Sequence, residues 1–222
     1  MILFNLHTHH RDSDPTNIAI HNVYPDQLSG CKELPAPFSC GVHPWFINQD
    51  YLSQQIEQMS HLIRLPECVA IGECGLDKLC SVPMELQEIV FRKMINLSEQ
   101  AQKPMIIHCV KAYDRLLDIR QKTKPIQPWI IHGFRGNPVL AAQLIKKGLF
   151  LSFGKLFNSE TVRSIPTEYL FLETDDQSFP IYLLYQQVAE LRNTSVEQLS
   201  EEINQLAKVI FSPNLFNNMF KK

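Results

Sequence analysis

The sequence predicts an α/β fold, namely a single TIM-type (β/α)8 barrel that occupies residues 1–222 as one domain. Two observations predict this fold: the chain contains eight short strand candidates, and most of them are separated by segments with helical periodicity. A length of 222 residues fits one barrel or two small domains. The regular alternation of strands and helices favours the barrel.

Each strand candidate is a short run of apolar or β-branched residues between turn-forming residues. Several runs, such as PMIIH and YLFLE, are apolar up to a polar last residue, which is typical of parallel strands buried on both faces. The sheet is therefore expected to be parallel and covered by helices. The eight candidates are residues 3–7, 18–22, 38–42, 68–73, 104–108, 128–132, 148–153 and 169–174.

Four segments between the later strands have the apolar spacing of helices. Pro83 and Pro138 stand where first-turn prolines belong, and Gly148 stands where a glycine ends a helix. Repeated alternation of strand and helix implies right-handed crossovers in a parallel architecture. The four segments are residues 52–64, 83–102, 112–122 and 138–147.

The early connections break this alternation. Residues 10–17 are too short for a crossover helix, and residues 23–37 contain three prolines and one glycine. The first crossover helix is therefore expected to be reduced or missing. Extra C-terminal helices are expected near residues 180–193, 195–208 and 213–220. The second of them begins with a capping box formed by Ser195 and Gln198.

Composition narrows the class of protein and its compartment. Hydrophobic residues make up 45% of the chain and charged residues 20%, which is ordinary for a globular protein. The net charge of −2 gives no general attraction to nucleic acid, so a phosphate substrate would need local cations or bound metal. The N-terminal MILFNLH lacks the pattern of a signal peptide, and no apolar run is long enough to span a membrane.

The six cysteines include no C-x-x-C pair and are expected to be reduced thiols. We therefore expect a cytoplasmic protein without membrane contact and without an obligate protein partner. Cys74 and Cys109 stand next to polar strand-end residues, but alternation points their side chains to the opposite strand face. They are predicted to be buried as small hydrophobic residues instead of binding a metal.

Histidines and acids stand at the carboxyl ends of the predicted strands. In a barrel these strand ends meet at one mouth. His7 and His9 are two residues apart on an extended segment, so both side chains can face the same cation. Polar groups at the ends of apolar strands would be costly to bury without partners. The residues are His7, His9, His43, Glu73, His108, His132 and Asp175.

These residue types predict metal-assisted hydrolysis. Imidazole nitrogens and carboxylate oxygens without thiolates suit magnesium, manganese, zinc or nickel. Glu73 could bridge two ions, an arrangement that clamps the attacking and leaving oxygens of a phosphate ester. Asp175 would then hold a metal and accept the proton of the attacking water, so Glu73 and Asp175 are the candidate catalytic residues.

In this order the motifs resemble the TatD family of metal-dependent hydrolases, a branch of the amidohydrolase-like barrels. The resemblance spans nearly the whole chain, and the ordered set is specific although H-x-H alone would be weak. The motifs are HTH at 7–9, GVHPW at 41–45, AIGECGLD at 70–77, PMIIHC at 104–109, IIHGFRG at 130–136, LSFG at 151–154 and LETDD at 172–176.

The resemblance implies a centre with two divalent metal ions. It assigns His7, His9, Glu73 and Asp175 to one ion, and Glu73, His108 and His132 to the other. It also implies that His43 faces the substrate, and that Asp77 and Glu173 support the ligands from behind. The implied activity is that of a deoxyribonuclease or a related phosphodiesterase.

Departures from the family pattern fall mainly at positions that handle the substrate. Asn5 replaces an aspartate that commonly precedes H-x-H, so support of the ligands there is expected to be weaker. Arg135, Lys78 and Lys111 are candidates for contacting phosphate, and the alternative is that they are solvated surface charges. An aromatic and basic track toward the site has only scattered candidates, namely Trp45, Phe46, Phe134 and Arg135.

Three functions remain open at this stage. The first is a two-metal phosphodiesterase that acts on DNA or on smaller nucleotide-like phosphate esters. The second is a metal-dependent hydrolase of a small amide, lactone or phosphomonoester. The third is a barrel that binds metal without turnover, which the complete ligand set disfavours.

Overall fold

The computed structural model describes residues 1–10, 14, 16–25 and 34–211. All eight predicted strands are present, and they form one sheet in chain order from β1 to β8. Backbone hydrogen bonds from Asp175 N–H to the His7 carbonyl and from His9 N–H to the Asp175 carbonyl, each 3.0 Å long, join the end of β8 to β1. The predicted (β/α)8 fold class is therefore confirmed. The strands are Phe4–Thr8, Ile18–Val23, Phe38–Cys40, Cys68–Asp77, Met105–Val110, Trp129–Ile131, Leu149–Phe153 and Leu170–Leu172.

Seven α-helices accompany these strands in the described part of the chain. The four helices predicted between the later strands are confirmed as α1 to α4, with ends shifted by a residue or two. The short α5 and two 3-10 turns, Pro44–Phe46 and Thr167–Tyr169, were not predicted. The helices are Leu52–Leu62, Met84–Ala101, Tyr113–Thr123, Pro138–Lys146, Ser159–Ser164, Ile181–Leu191 and Val196–Phe211.

The irregular parts of the predicted fold also agree with the structure. Among the described residues no α-helix lies between β1 and β2 or between β2 and β3, and α6 and α7 are the extra C-terminal helices. Ser195 Oγ accepts from Gln198 N–H at 3.1 Å, whereas the Gln198 amide donates to Glu202 instead of completing the capping box. The helix predicted at 213–220 lies outside the described residues. None of the helices that the structure describes is long and apolar enough to cross a bilayer.

The chain divides into two compact units, which are described separately. Unit 1 comprises Met1–His21 and Ile130–Lys222, and unit 2 comprises Asn22–Trp129. The assignment of residues 1–222 to one domain stays a prediction.

Unit 1 is built around the buried strand β1. Phe4 is fully buried and its ring contacts the rings of Phe171 in β8 and Phe211 in α7. The fully buried Tyr185 of α6 donates its hydroxyl hydrogen to the Phe4 carbonyl at 2.9 Å and accepts from the Phe4 N–H at 3.2 Å. These contacts fix the position of β1, which leads into His7 and His9.

Unit 2 is organised by β4, which is longer than predicted. The strand was expected at 68–73 but continues to Asp77, so it carries both Glu73 and Asp77. It pairs in parallel with β3 and β5. Gly75 has a φ of +152°, and a Cβ there would collide with the His108 carbonyl oxygen. The glycine therefore allows the close approach that brings the end of β4 next to His108.

Candidate metal centre

Unit 1 contains a first cluster of four side chains, His7, His9, His132 and Asp175. His7 Nε2 and His9 Nε2 lie 3.6 and 3.5 Å from Asp175 Oδ1. One ligand atom each of His7, His132 and Asp175 lies within 4.8 Å of the other two. His7 is fully buried, whereas the side chains of His9 and Asp175 are 25% and 28% exposed. The first cluster is therefore deep at one end and open to solvent at the other.

The backbone at Asp175 holds its carboxylate in this position. Asp175 has a φ of +55°, in the left-handed region that non-glycine residues seldom adopt. Its N–H and C=O are both committed to β1, through His7 and His9. A non-glycine residue held there by its neighbours is typical of functional positions.

Glu173 supports His132 from behind. Its carboxylate oxygen Oε1 accepts from the Gly133 N–H at 2.6 Å and lies 3.4 Å from His132 Nδ1. The side chain is fully buried, and its second oxygen has no hydrogen-bond partner among the described residues. The supporting role of Glu173 toward a ligand histidine stays a prediction.

Asn5 binds the strand ends of unit 1 together. Its side-chain amide donates to Thr174 Oγ1 at 2.9 Å, and its carbonyl oxygen accepts from the Thr174 N–H at 3.1 Å. Thr174 Oγ1 in turn donates to Thr8 Oγ1 at 3.0 Å. The asparagine uses its donor and its acceptor on the residue before Asp175, so β1 and β8 are braced here without a carboxylate.

Unit 2 contains a second cluster, His43, Glu73 and His108. His43 Nε2 and His108 Nδ1 lie 3.1 and 3.0 Å from the same oxygen, Glu73 Oε1. The other carboxylate oxygen of Glu73 accepts from the Tyr24 hydroxyl at 3.3 Å, and the Glu73 N–H donates to Asn22 Oδ1 at 2.8 Å. Glu73 and His43 are buried, so this carboxylate is held on both sides.

The hydrogen bonds of His43 define which of its nitrogens carries a proton. Nδ1 accepts the backbone N–H of Trp45 at 3.2 Å, at the start of the turn Pro44–Phe46. A neutral His43 therefore carries its hydrogen on Nε2, the nitrogen that faces Glu73. His43 lies at ligand spacing from Glu73, but in this tautomer it is a proton donor and not a metal ligand. The role of His43 toward a substrate stays a prediction.

Asp77 lies behind His108. Its Oδ2 is 3.1 Å from His108 Nε2 and accepts from Trp45 Nε1–H at 2.6 Å, while its Oδ1 accepts from Leu79 N–H at 2.7 Å. Burial alone would raise the pKa of Asp77, but the hydrogen bonds from Trp45, Leu79 and His108 together hold it below its ordinary value. Asp77 is therefore a charged group in contact with His108 Nε2.

Two supporting residues of unit 2 went unrecognised in the sequence. Tyr24 stands in the turn-rich segment after β2, where no periodicity marks it. Trp45 was considered only for an aromatic track, yet its indole holds Asp77. The sequence signal for Trp45 is its place in the GVHPW motif directly after the histidine.

The donor sets of both clusters fit divalent metal ions. Each cluster offers imidazole nitrogens and carboxylate oxygens within a few ångströms of one another and contains no thiolate. Burial raises the pKa of the Cys109 thiol to about 12, and it raises that of Cys74 further. These thiols stay protonated near neutral pH, so their predicted role as buried small residues is consistent with the structure.

The candidate phosphate contacts differ in their surroundings. Lys78 Nζ donates to Asp114 Oδ1 at 2.8 Å in an exposed ion pair. Lys111 and Arg135 are exposed. Phe134 is fully buried and packs edge-on against Phe153, so its expected place in a surface track was wrong. Its side chain fills the core of unit 1 instead.

Comparisons with known proteins agree with these motifs. The family model described as TatD related DNase matches residues 27–212. An uncharacterized metal-dependent hydrolase of Bacillus subtilis, YabD, is 28% identical over 187 residues, which cover 74% of this chain and 73% of YabD. The 3'-5' ssDNA/RNA exonuclease TatD of Citrobacter rodentium is 28% identical over 211 residues, covering 80% of this chain and 77% of that protein.

Solved structures show the same fold at low sequence identity. The TatD homologue YjjV from Escherichia coli superposes with a TM-score of 0.75 at 18% identity, covering 94% of this chain and 97% of that one. This likeness supports the (β/α)8 fold independently of the site residues.

Proposed function

The chain belongs to the TatD family of metal-dependent hydrolases, and from this premise we propose that it hydrolyses phosphodiester bonds at a centre of two divalent metal ions. The proposed substrate is DNA or a smaller nucleotide-like phosphate ester. The observation that carries the proposal is the grouping of imidazoles and carboxylates in both clusters, with no thiolate among them. Magnesium, manganese, zinc and nickel all suit such ligands.

The ligand assignment follows the family pattern. His7, His9 and Asp175 would hold one ion, His108 and His132 the other, and Glu73 would serve both. The structure groups His132 with His7 and Asp175, so its assignment to the second ion rests on the family resemblance. Bound divalent ions acidify water and offset the negative charge of a phosphate ester.

The protein's own residues supply the proton transfers. Asp175 is positioned to take a proton from the attacking water, because its carboxylate is partly exposed beside His7 and His9. The water oxygen then bonds to phosphorus as the bond to the leaving oxygen breaks. His43 holds a proton on Nε2 and is the proposed donor to the substrate or to that leaving oxygen.

The supporting residues keep the ligand rings in place. Asp77 fixes the orientation of His108, and Glu173 does the same for His132. Arg135, Lys78 and Lys111 stay candidates for contacting phosphate. Of these three, Lys78 would first have to leave Asp114.

That ion pair is the observation in favour of a second candidate function. If Lys78 stays with Asp114, the site lacks one of its cations for phosphate, and an uncharged amide or lactone becomes the better substrate. Hydrolysis of a small phosphomonoester and metal binding without turnover are the remaining alternatives for the function.

A cytoplasmic location and the lack of an obligate protein partner stay predictions.

The test combines metal content by elemental analysis with hydrolysis of bis(p-nitrophenyl) phosphate and single-stranded DNA. It compares the wild type with Glu73→Ala and Asp175→Asn, and uses Glu57→Ala, at an exposed position of α1, as the matched control. We expect the wild type and Glu57→Ala to bind divalent metal and to cleave the diester, and we expect Glu73→Ala and Asp175→Asn to lose diester cleavage. Bound metal without diester cleavage would point to another ester or an amide, and failure to bind any divalent metal would overturn the proposal.

A further inference from the structure

A large open groove in unit 2 is lined by aromatic and amide side chains. Its volume is about 1010 Å³, and its walls come from residues 45–58 and 81–86. Trp45, Phe46 and Tyr51 supply the aromatic rings, and asparagine and glutamine side chains supply most of the polar atoms. Among the described residues, the lining contains no lysine or arginine, and Asp50 is its one carboxylate. We call this surface the aromatic groove.

The rings of the aromatic groove are exposed although two of them are held firmly. Trp45 is 57% exposed while its indole N–H is bound to Asp77 at 2.6 Å. Phe46 is 48% exposed, and its ring centroid lies 5.0 Å from that of Tyr24 and 5.5 Å from that of His43. Large apolar rings that are both fixed and exposed are typical of binding surfaces.

The charges of the aromatic groove decide which part of a substrate fits there. Phosphate groups need cations, and the described part of the groove lining supplies none. Nucleobases are uncharged, stack on aromatic faces and form hydrogen bonds with amide side chains through their edges. Only unpaired, unstacked bases expose those faces and edges, so a double helix would not fit in the same way.

We propose that the aromatic groove binds the nucleobases of a single-stranded polynucleotide, with Trp45 and Phe46 as the stacking surface. This inference rests on the proposed phosphodiesterase function and adds a base-binding subsite to it. Trp45 contacts the same Asp77 oxygen that faces His108, and its ring centroid lies 5.1 Å from that of His43. A base stacked on Trp45 therefore lies beside the second cluster, and base binding helps to select the phosphodiester that is cleaved.

The two tryptophans of the chain make this testable without a variant. Trp45 is 57% exposed and Trp129 is fully buried, so a water-soluble quencher such as acrylamide acts mainly on Trp45 fluorescence. The probes are a phosphorothioate hexathymidylate, which resists hydrolysis, its ribose counterpart, and an abasic hexamer with the same backbone. The protein is used at full length and as purified, with its metal.

We expect either base-bearing hexamer to lower the acrylamide quenching of Trp45 by about twofold or more, and the abasic hexamer to leave it unchanged. A difference between the deoxyribose and ribose probes would identify the preferred sugar. Equal protection by the abasic hexamer would show that the backbone occupies the groove, and no protection by any probe would show that the groove is not used. Either result overturns the inference.

Two groove variants extend the test. Phe46→Ala and Tyr51→Ala are each expected to weaken hexathymidylate binding roughly tenfold, because each removes a ring on which bases stack. Tyr182→Ala is the matched control, since Tyr182 is an exposed aromatic residue of α6 outside the groove lining. Equal binding by all three variants and the wild type would contradict the assignment.

Hydrolysis of bis(p-nitrophenyl) phosphate by the same preparation separates the two proposals. Cleavage without base-dependent protection of Trp45 overturns the base-binding subsite and leaves the phosphodiesterase function standing. Protection without cleavage overturns that function and leaves the groove as a base-binding site.

Discussion

The two clusters hold their side chains in different ways. In the first cluster, His7 and His9 lie 3.6 and 3.5 Å from one Asp175 oxygen, which is longer than most hydrogen bonds. In the second cluster, His43 and His108 lie 3.1 and 3.0 Å from one Glu73 oxygen. The second cluster is a hydrogen-bonded network of protein groups, and the first is a set of groups with wider spacing.

The spacing in both clusters is compatible with a bound cation. Two ligand atoms that each lie about 2.0–2.2 Å from one ion are roughly 3.0–3.5 Å apart, so the difference between the clusters lies in the protein groups that support them. The second cluster is held in addition by Tyr24, Trp45 and Asp77, and hydrogen bonds alone can maintain it. We therefore infer that the first cluster depends more strongly on its carboxylate and on bound metal than the second cluster does on any single support.

Replacing Asp175 by asparagine is expected to have the largest effect. The change removes the negative charge between His7 and His9 together with the proposed proton acceptor, while side-chain size is kept. The kcat for bis(p-nitrophenyl) phosphate should fall about 1000-fold, in the range found for the loss of a general base. Metal bound per chain, measured by elemental analysis, should fall as well.

The neighbouring Asp176→Asn is the matched control for this change. Asp176 Oδ1 accepts from the Gln177 amide at 2.7 Å on the surface, so its charge is not part of the first cluster. Its kcat should stay within about twofold of the wild type. If Asp176→Asn lost as much activity as Asp175→Asn, the effect would come from the loop and not from the Asp175 carboxylate.

A smaller loss is expected from Asp77→Asn in the second cluster. The asparagine can still accept one of the two hydrogen bonds from Trp45 and Leu79, but its NH2 group replaces the oxygen that accepts the other. Loss of a carboxylate behind a ligand histidine typically costs 10–100-fold, and we expect kcat to fall by about that factor. Asp118→Asn, which removes an exposed partner of Lys122, serves as the control and should leave kcat unchanged. An equal loss in both variants would contradict a specific role of Asp77.

Glu173→Gln should lower activity about tenfold without loss of stability. The glutamine can still accept from Gly133 N–H, but it no longer offers a negative charge to His132. A buried carboxylate with one oxygen lacking a hydrogen bond is costly, so neutralising it should raise the free energy of unfolding by about 1 kcal/mol. Urea unfolding of metal-stripped protein measures this, and a clear destabilisation would show that Glu173 is needed for folding.

The strands and their polar ends could be predicted from the sequence, because both have local signals. PMIIH and YLFLE place an apolar run directly before His108 and Glu173. The extension of β4 to Asp77 was not predicted, because Gly75 interrupts a strand pattern while the fold requires a glycine at that point. The contact of Trp45 with Asp77 joins residues 32 positions apart, and no local pattern reports such a distance.

The place of Asn5 could not be predicted for a related reason. The sequence shows only that an aspartate is missing before His7, from which weaker support was expected. In the structure the side chain of Asn5 both donates to and accepts from Thr174. The donor is useful only because Thr174 Oγ1 gives its own hydrogen to Thr8.

Asn5→Asp therefore gives the smallest and most specific of these effects. An aspartate can accept from Thr174 N–H, but Thr174 Oγ1 would lose the donor from position 5 and face a buried carboxylate oxygen. The hydroxyl could restore a hydrogen bond only by turning away from Thr8. We expect the free energy of unfolding at pH 7 to fall by about 1–2 kcal/mol, with kcat reduced severalfold at most.

Asn137→Asp is the matched control, because Asn137 caps α4 by accepting from Leu140 N–H and an aspartate does this equally well. If both changes left stability in urea the same, the amide of Asn5 would be dispensable, and the family's aspartate would serve this position as well as the asparagine does.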